Sequence, residues 1–140
     1  MVRTDNGVLS RTLGGPAGAA ETYRPYLWSH DGRQMHALFR DHYLSDLVGF
    51  VYSKMGAEEA ADHFLGRIRE NCGGRDSLVP IILDGENAWE HYPYNGYYFF
   101  EDLYGLLAEH PRIRTTSYAD LLARPSPPAA TVLPRLTAGS

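Results

Sequence analysis

Six apolar residues in a row, Leu78–Leu83 (LVPIIL), stop abruptly at Asp84-Gly85-Glu86-Asn87. A strand with one solvated face alternates apolar and polar side chains. An unbroken run of this length predicts a strand covered on both faces, as in a parallel sheet packed between helices. Pro80 lacks the N–H that a ladder requires, which points to an early strand position or an irregular edge.

The surrounding pattern supports an alternating architecture. Residues 13–22 (LGGPAGAAET) are small and without apolar period, and they read as a loop. Apolar stretches at Tyr26–Trp28 and Met35–Phe39 flank the turn composition His30-Asp31-Gly32, which fits a hairpin or a loop leading into a strand. Residues 44–53 fit a short helix or a turn. Ala57, Ala60, Ala61, Phe64, Leu65 and Ile68 form one apolar stripe at helical spacing, closed by Asn71-Cys72-Gly73-Gly74. A second helix follows Asn95-Gly96, with Tyr97, Phe100, Leu103, Tyr104 and Leu107 on one face, and ends at His110-Pro111. Residues 112–116 read as a short strand, and Ser117 as the cap of a helix over Tyr118–Ala123. From Arg124 onward the chain is rich in Pro, Ala and Ser and reads as a linker or extended loop. The predicted fold class is therefore α/β, with about three parallel strands and flanking helices. A closed barrel takes about eight strands in the usual case. The chain is then either a small open sheet or a segment of something larger.

Composition narrows the function. A formal net charge of −4 offers no basic patch for nucleic acid. The longest apolar runs are too short to cross a bilayer. The start, MVRTDNGVLSRTLGG, lacks the apolar core of a secretion signal, and a single cysteine, Cys72, cannot form an internal disulfide. A cytoplasmic protein without nucleic-acid or membrane partners is expected. The six histidines show no recognised metal spacing, and no metal or other cofactor is expected. Aromatic residues make up 12% of the chain, and eight fall between Trp89 and Tyr104. That density suits a packed core, and it also suits a sugar site, where ring faces stack on pyranoses.

Ligands of parallel α/β folds bind beyond the carboxyl ends of the strands. Two polar clusters occupy such positions: Arg40-Asp41-His42, after Met35–Phe39, and Asp84-Gly85-Glu86-Asn87, after Leu78–Leu83. Asp84 is the first polar residue after the apolar run. A carboxyl emerging against an apolar wall is desolvated and becomes a better proton donor near neutrality. The same four residues also make an ordinary turn.

The string Leu83-Asp84-Gly85-Glu86-Asn87-Ala88-Trp89-Glu90 resembles the LDGENAWE segment of glycoside hydrolase family 57, most of all its amylopullulanase-like and α-glucanase members. Phe39–Phe50 (FRDHYLSDLVGF) resembles the family's FRDxxLSDxIGF segment, in the same order and at matching separation. The resemblance runs from about Arg3 to Ser140. It implies a distorted (β/α)7 barrel, of which residues 1–123 would be a part. Residues 124–140 would be a loop or linker leading toward a missing C-terminal part, since Leu136–Ser140 is similar to the lead-in of the family's GSW motif. It also implies a retaining mechanism on α-glucosidic bonds of starch- or glycogen-like polysaccharides, with Asp84 as general acid/base. Trp89 would stack on a glucosyl ring, and Glu86, Arg40, Asp41 and His42 would be candidates for contacting the sugar or tuning the acid. An Arg beside an acid lowers its pKa, so Arg40 is expected to pair with Asp41 or Asp46 and to stay away from Asp84. The family's ATDEGVL-like segment carries the nucleophilic Glu, and Arg3–Leu9 (RTDNGVL) is similar to it, with Asn6 at that position.

Three readings follow. The chain is a piece of a retaining α-glucan glycosidase or transglycosylase, inactive alone; or a relative that binds glucan without cleaving it, as Asn6 suggests; or an unrelated small α/β interaction module. The two motif matches weigh against the third.

Overall fold

The computed structural model describes residues 2–83, 89–125 and 129–137. Asp84–Ala88, and with them the predicted acid/base and Glu86, lie outside the described residues. The α/β class holds. The element order is β1 (Val2–Asp5), α1 (Asn6–Leu13), α2 (Ala19–Thr22), β2 (Tyr26–His30), β3 (Arg33–Arg40), α3 (His42–Asp46), α4 (Ala57–Cys72), α5 (Tyr97–Glu109), α6 (Tyr118–Leu122) and β4 (Thr131–Leu133). These fall into two units, one of residues 1–42, 71–82 and 128–140 and one of residues 43–70 and 83–127.

The first unit is built on a four-stranded sheet in the order β1-β3-β2-β4. β2 and β3 form the hairpin that the sequence allowed, with Tyr26 opposite Ala37 and His30 opposite Arg33. Asp31 and Gly32, at its tip, both have positive φ, 48° and 72°. A two-residue turn of this kind matches the twist of the strands, and Asp-Gly is among the pairs that adopt it at least cost. β1 lies parallel to β3, from Val2 opposite Ala37 to Asp5 opposite Arg40. β4 lies parallel to β2 on the other side.

Tyr26, Ala37 and Phe39 from the sheet, Leu133 from β4, and Val8 and Leu9 from α1 make one buried cluster. Tyr26 meets Phe39 edge to face at 5.4 Å, and each fully buried side chain of this size contributes roughly 1.5–3 kcal/mol. α1 starts where β1 ends because Asp5 caps it, accepting from the Val8 N–H at 3.0 Å. It stops at Gly14, in the left-handed conformation at φ 77°.

Several local expectations are corrected. Leu78–Leu83 forms no ladder among the described residues. Pro80 withholds a donor at its middle, Ile81 is exposed, and the Leu78 N–H goes instead to the Tyr23 carbonyl at 2.9 Å. Residues 112–116 are not a strand either. Only Ile113 is half-buried, too little apolar surface to hold a pairing register. The presumed loop at 13–22 contains α2, where Glu21 accepts from the Gly18 N–H at 3.0 Å. The Pro-rich tail, read as a linker or extended loop, contributes β4 through its apolar Val132-Leu133 pair. The stretch at 44–53, left between helix and turn, continues α3 through one wide turn (Leu47–Val51) and a tight one (Tyr52–Lys54).

The second unit is packed through aromatics. α4 buries Ala60, Ala61, Phe64, Leu65 and Ile68, most of the predicted stripe. Tyr52 stands edge-on to Phe64 at 6.1 Å and beside Phe99 at 5.8 Å. Its hydroxyl bonds to Nδ1 of His63 at 2.9 Å. Tyr92 donates to the Val48 carbonyl at 2.5 Å. α5 turns Phe99 and Leu103 inward and leaves Tyr97 and Tyr104 exposed, although the periodicity had grouped those tyrosines with the core face.

Candidate functional site at the carboxyl edge of the parallel strands

The pairing of β1 with β3 fixes the site. Asp5 stands opposite Arg40 on neighbouring parallel strands, about 4.8 Å apart in the pairing direction. Both strands therefore run out at the same edge. Asn6 leaves it as the first residue of α1, and Asp41 and His42 leave it toward α3. Thirty-three residues of chain lie between Asn6 and Arg40, yet the register brings both to the end of the sheet where α/β proteins hold ligands.

The three consecutive residues after Phe39 divide their work by exposure. Asp41 is buried. Its Oδ2 accepts the Tyr23 hydroxyl at 2.5 Å, and Asn71, in the last turn of α4, donates from Nδ2 to the same phenol oxygen at 3.0 Å. Asn71 and Tyr23 thus form a short chain that ends on the carboxylate. Burial first, and then the bond to Asp41, push the Tyr23 phenol well above its ordinary range, so it stays a proton donor. Arg40 is half-buried and His42 exposed. Arg40 donates from Nη2 to Nδ1 of His42 at 3.2 Å; because a guanidinium only donates, this His42 nitrogen is the unprotonated one. A buried carboxylate next in sequence to the Arg40 guanidinium and the His42 ring supplies acceptors and donors that suit a hydroxyl-rich ligand.

At the first of these positions, Asn6 is half-buried, and its carbonyl accepts the Ser10 hydroxyl at 2.8 Å. Asp5 is committed to capping α1, so its carboxylate holds backbone in place. Tyr23 and Asn71 were missed in the sequence. They lie 18 and 30 residues from Asp41, and nothing local in either neighbourhood signals a carboxylate partner.

Trp89 belongs to the second unit. Its half-buried indole lies against Phe100, with centroids 4.3 Å apart, and against Tyr92 at 5.5 Å. Gly96 faces it so closely that a Cβ there would sit 3.1 Å from Trp89 Cε3. Of the predicted residues, the sheet edge thus gathers Asn6, Arg40, Asp41 and His42. Trp89 is held in a separate aromatic stack, and Asp84 and Glu86 are outside the described residues. Among the described residues no group of three or more His, Cys, Asp or Glu is placed to hold a metal ion, and no helix is long and apolar enough to cross a membrane.

Comparison with known proteins matches this architecture. The crystal structure of the 4-alpha-glucanotransferase from Thermococcus litoralis superposes on 95% of the chain with a TM-score of 0.63 at 16% sequence identity. The chain spans only 20% of that protein's length. No curated protein matches by sequence. The sequence model of glycosyl hydrolase family 57 matches residues 1–134, nearly the full length, and the chain belongs to that family.

Proposed function

We propose that the chain is part of the catalytic region of a retaining enzyme acting on α-glucans, with Asp84 as the general acid/base. The observation that carries this reading is the register of β1 against β3. It brings Asn6, which the motif resemblance puts at the nucleophile position, to the same strand edge as Arg40, Asp41 and His42. A retaining mechanism needs two carboxyl groups about 5–5.5 Å apart, one attacking the anomeric carbon while the other protonates the leaving oxygen. In the second step the acid returns as a base and activates water or an acceptor sugar. Hydrolysis and glucosyl transfer share these groups. The glucanotransferase named by the structural match and the amylase or amylopullulanase type suggested by the motifs are thus variants of one chemistry.

A specific observation favours a second reading within the same family. Asn6 presents an amide, which cannot form the glycosyl ester that a carboxylate forms. On that reading the protein binds glucan and does not cleave it.

Two substitutions separate the readings, both made in a protein in which the barrel is complete and assayed with a chromogenic maltooligosaccharide. If the completed protein is active, Asp84→Asn lowers turnover about 10²–10⁴-fold at neutral pH and leaves glucan binding nearly unchanged. Wild-type rates in that variant would refute the acid/base assignment. If the completed protein is inactive for want of a nucleophile at Asn6, Asn6→Glu restores turnover, and a variant that stays inactive counts against that position. The 140-residue chain by itself is expected to give no turnover in the same assay.

A further inference from the structure

The second unit carries a feature that the proposed chemistry does not use. Tyr94, Tyr97, Tyr98 and Tyr104 are 76%, 58%, 54% and 60% exposed. Folding normally leaves single large rings at the surface, and a contiguous group marks a binding surface. Ring contacts join three of them, and the fourth, Tyr104, lies seven residues after Tyr97 on α5. Tyr98 is edge-on to Tyr94 and to Tyr97, at 5.3 Å in each case, and Tyr104 stacks on Phe100 at 5.7 Å with planes 12° apart.

The backbone beneath them is strained. Tyr94, Asn95 and Gly96 have consecutive φ values of 53°, 54° and 79°. Left-handed backbone is unfavourable for a tyrosine, and here the strain lifts the Tyr94 ring beside the first turn of α5. Phe100 touches both Trp89 and Tyr104, so Tyr104 joins the aromatic stack that holds Trp89. The whole group is phenolic. A phenol offers a flat apolar face together with a hydroxyl that donates and accepts, which suits the alternating apolar faces and hydroxyls of a pyranose.

We infer that Tyr94, Tyr97, Tyr98 and Tyr104 form an α-glucan-binding platform along α5, beside the Trp89–Phe100 stack. The inference rests on the family's action on α-glucans proposed above. Tyr97 and Tyr104 are seven residues apart on the helix, about 10 Å along its axis, so the platform engages several consecutive glucosyl units.

The test is affinity electrophoresis of the 140-residue chain in gels containing glycogen, with titration by maltoheptaose in solution. Wild type is retarded by glycogen and not by a β-linked glucan. The combined variant Tyr97→Ala with Tyr98→Ala binds about tenfold more weakly, with an unchanged circular dichroism spectrum. Tyr43→Ala, which removes an exposed tyrosine remote from the group in sequence, binds as wild type does. In wild-type protein, maltoheptaose protects Tyr97 and Tyr98 from nitration, a readout that does not depend on any variant folding. Absence of retardation, equal retardation by the β-linked glucan, undiminished binding in the double variant, or loss of self-association as its sole effect would each overturn the platform. Retardation by glycogen reads binding alone, whereas the chromogenic assay of the completed protein reads turnover, so either idea fails without the other.

Discussion

At the scale of single residues, the site divides into what adjacent positions announce and what only folding brings together. Arg40, Asp41 and His42 were legible because they follow an apolar stretch, and polar residues after a strand emerge where ligands bind. Asn6 was legible through its motif alone. The partners of Asp41 were not. Tyr23 meets it at the open end of the hairpin, and Asn71, from the last turn of α4, bonds to the Tyr23 hydroxyl. No periodicity records such a contact. Its energetic weight follows from burial, because a carboxylate removed from water depends on its donors. Tyr23→Phe keeps the ring and removes two hydrogen bonds, the one given to Asp41 and the one accepted from Asn71, so it separates these bonds from packing. The variant is expected to lose about 1–3 kcal/mol of unfolding free energy. Urea denaturation measures this, and a loss below about 0.5 kcal/mol would mean that solvent or another donor replaces the phenol without cost.

At the scale of elements, helices were easier to read than strands. The α4 stripe of Ala60, Ala61, Phe64, Leu65 and Ile68 comes from one contiguous segment, so the 3.6-residue period displays its buried face directly. Strands depend on partners far away in the chain. Leu78–Leu83 has the composition of a buried strand and no ladder among the described residues, since Pro80 interrupts the donors. β1 and β4, of four and three residues, are too short to show alternation and exist because β3 and β2 give them an edge to pair with. The turn entering α5 was read correctly from Asn95-Gly96, and its chemistry is testable. Gly96 has φ 79° and lies against Trp89 and Phe100. Gly96→Ala therefore meets two penalties, a left-handed backbone and a Cβ only 3.1 Å from the Trp89 ring. The expected destabilisation is about 1–3 kcal/mol, read as a lower urea midpoint at unchanged slope, with Trp89 fluorescence shifting as its contact with Phe100 loosens. Gly74→Ala, at φ 77° with nothing within 4 Å of the added carbon, supplies the backbone penalty alone. Equal losses in the two variants would show that the indole yields freely.

At the scale of the whole molecule, both units rely on buried phenols, and that dependence makes stability sensitive to alkali. Tyr23 and Tyr26 are buried in the first unit, Tyr52 and Tyr92 in the second. Burial is the leading cause that raises each of these phenols above the ordinary tyrosine value of about 10. For Tyr92 it reaches about 12. The sign follows from which state releases protons first. Below about pH 10 both the folded and the unfolded chain keep these phenols protonated, and their contribution to stability is complete. As pH rises beyond that value, the unfolded chain loses protons that the folded chain retains. Unfolding is then favoured by up to about 1.4 kcal/mol per pH unit for each such phenol. The loss continues through the folded-state value of each group, and because several phenols act together it is steep. Urea unfolding at a series of pH values should show stability that is level with respect to tyrosine below about pH 10 and falls sharply above it. Tyrosinate absorbance of these four residues should rise together with loss of the circular dichroism signal and not before it. Tyr92→Phe removes one of the titrating groups, so its stability declines less steeply with pH even though it starts lower for want of the bond to the Val48 carbonyl. A native spectrum persisting while all the tyrosines ionise at the ordinary value would mean that these phenols are open to solvent, and that aromatic burial does not stabilise each unit as described.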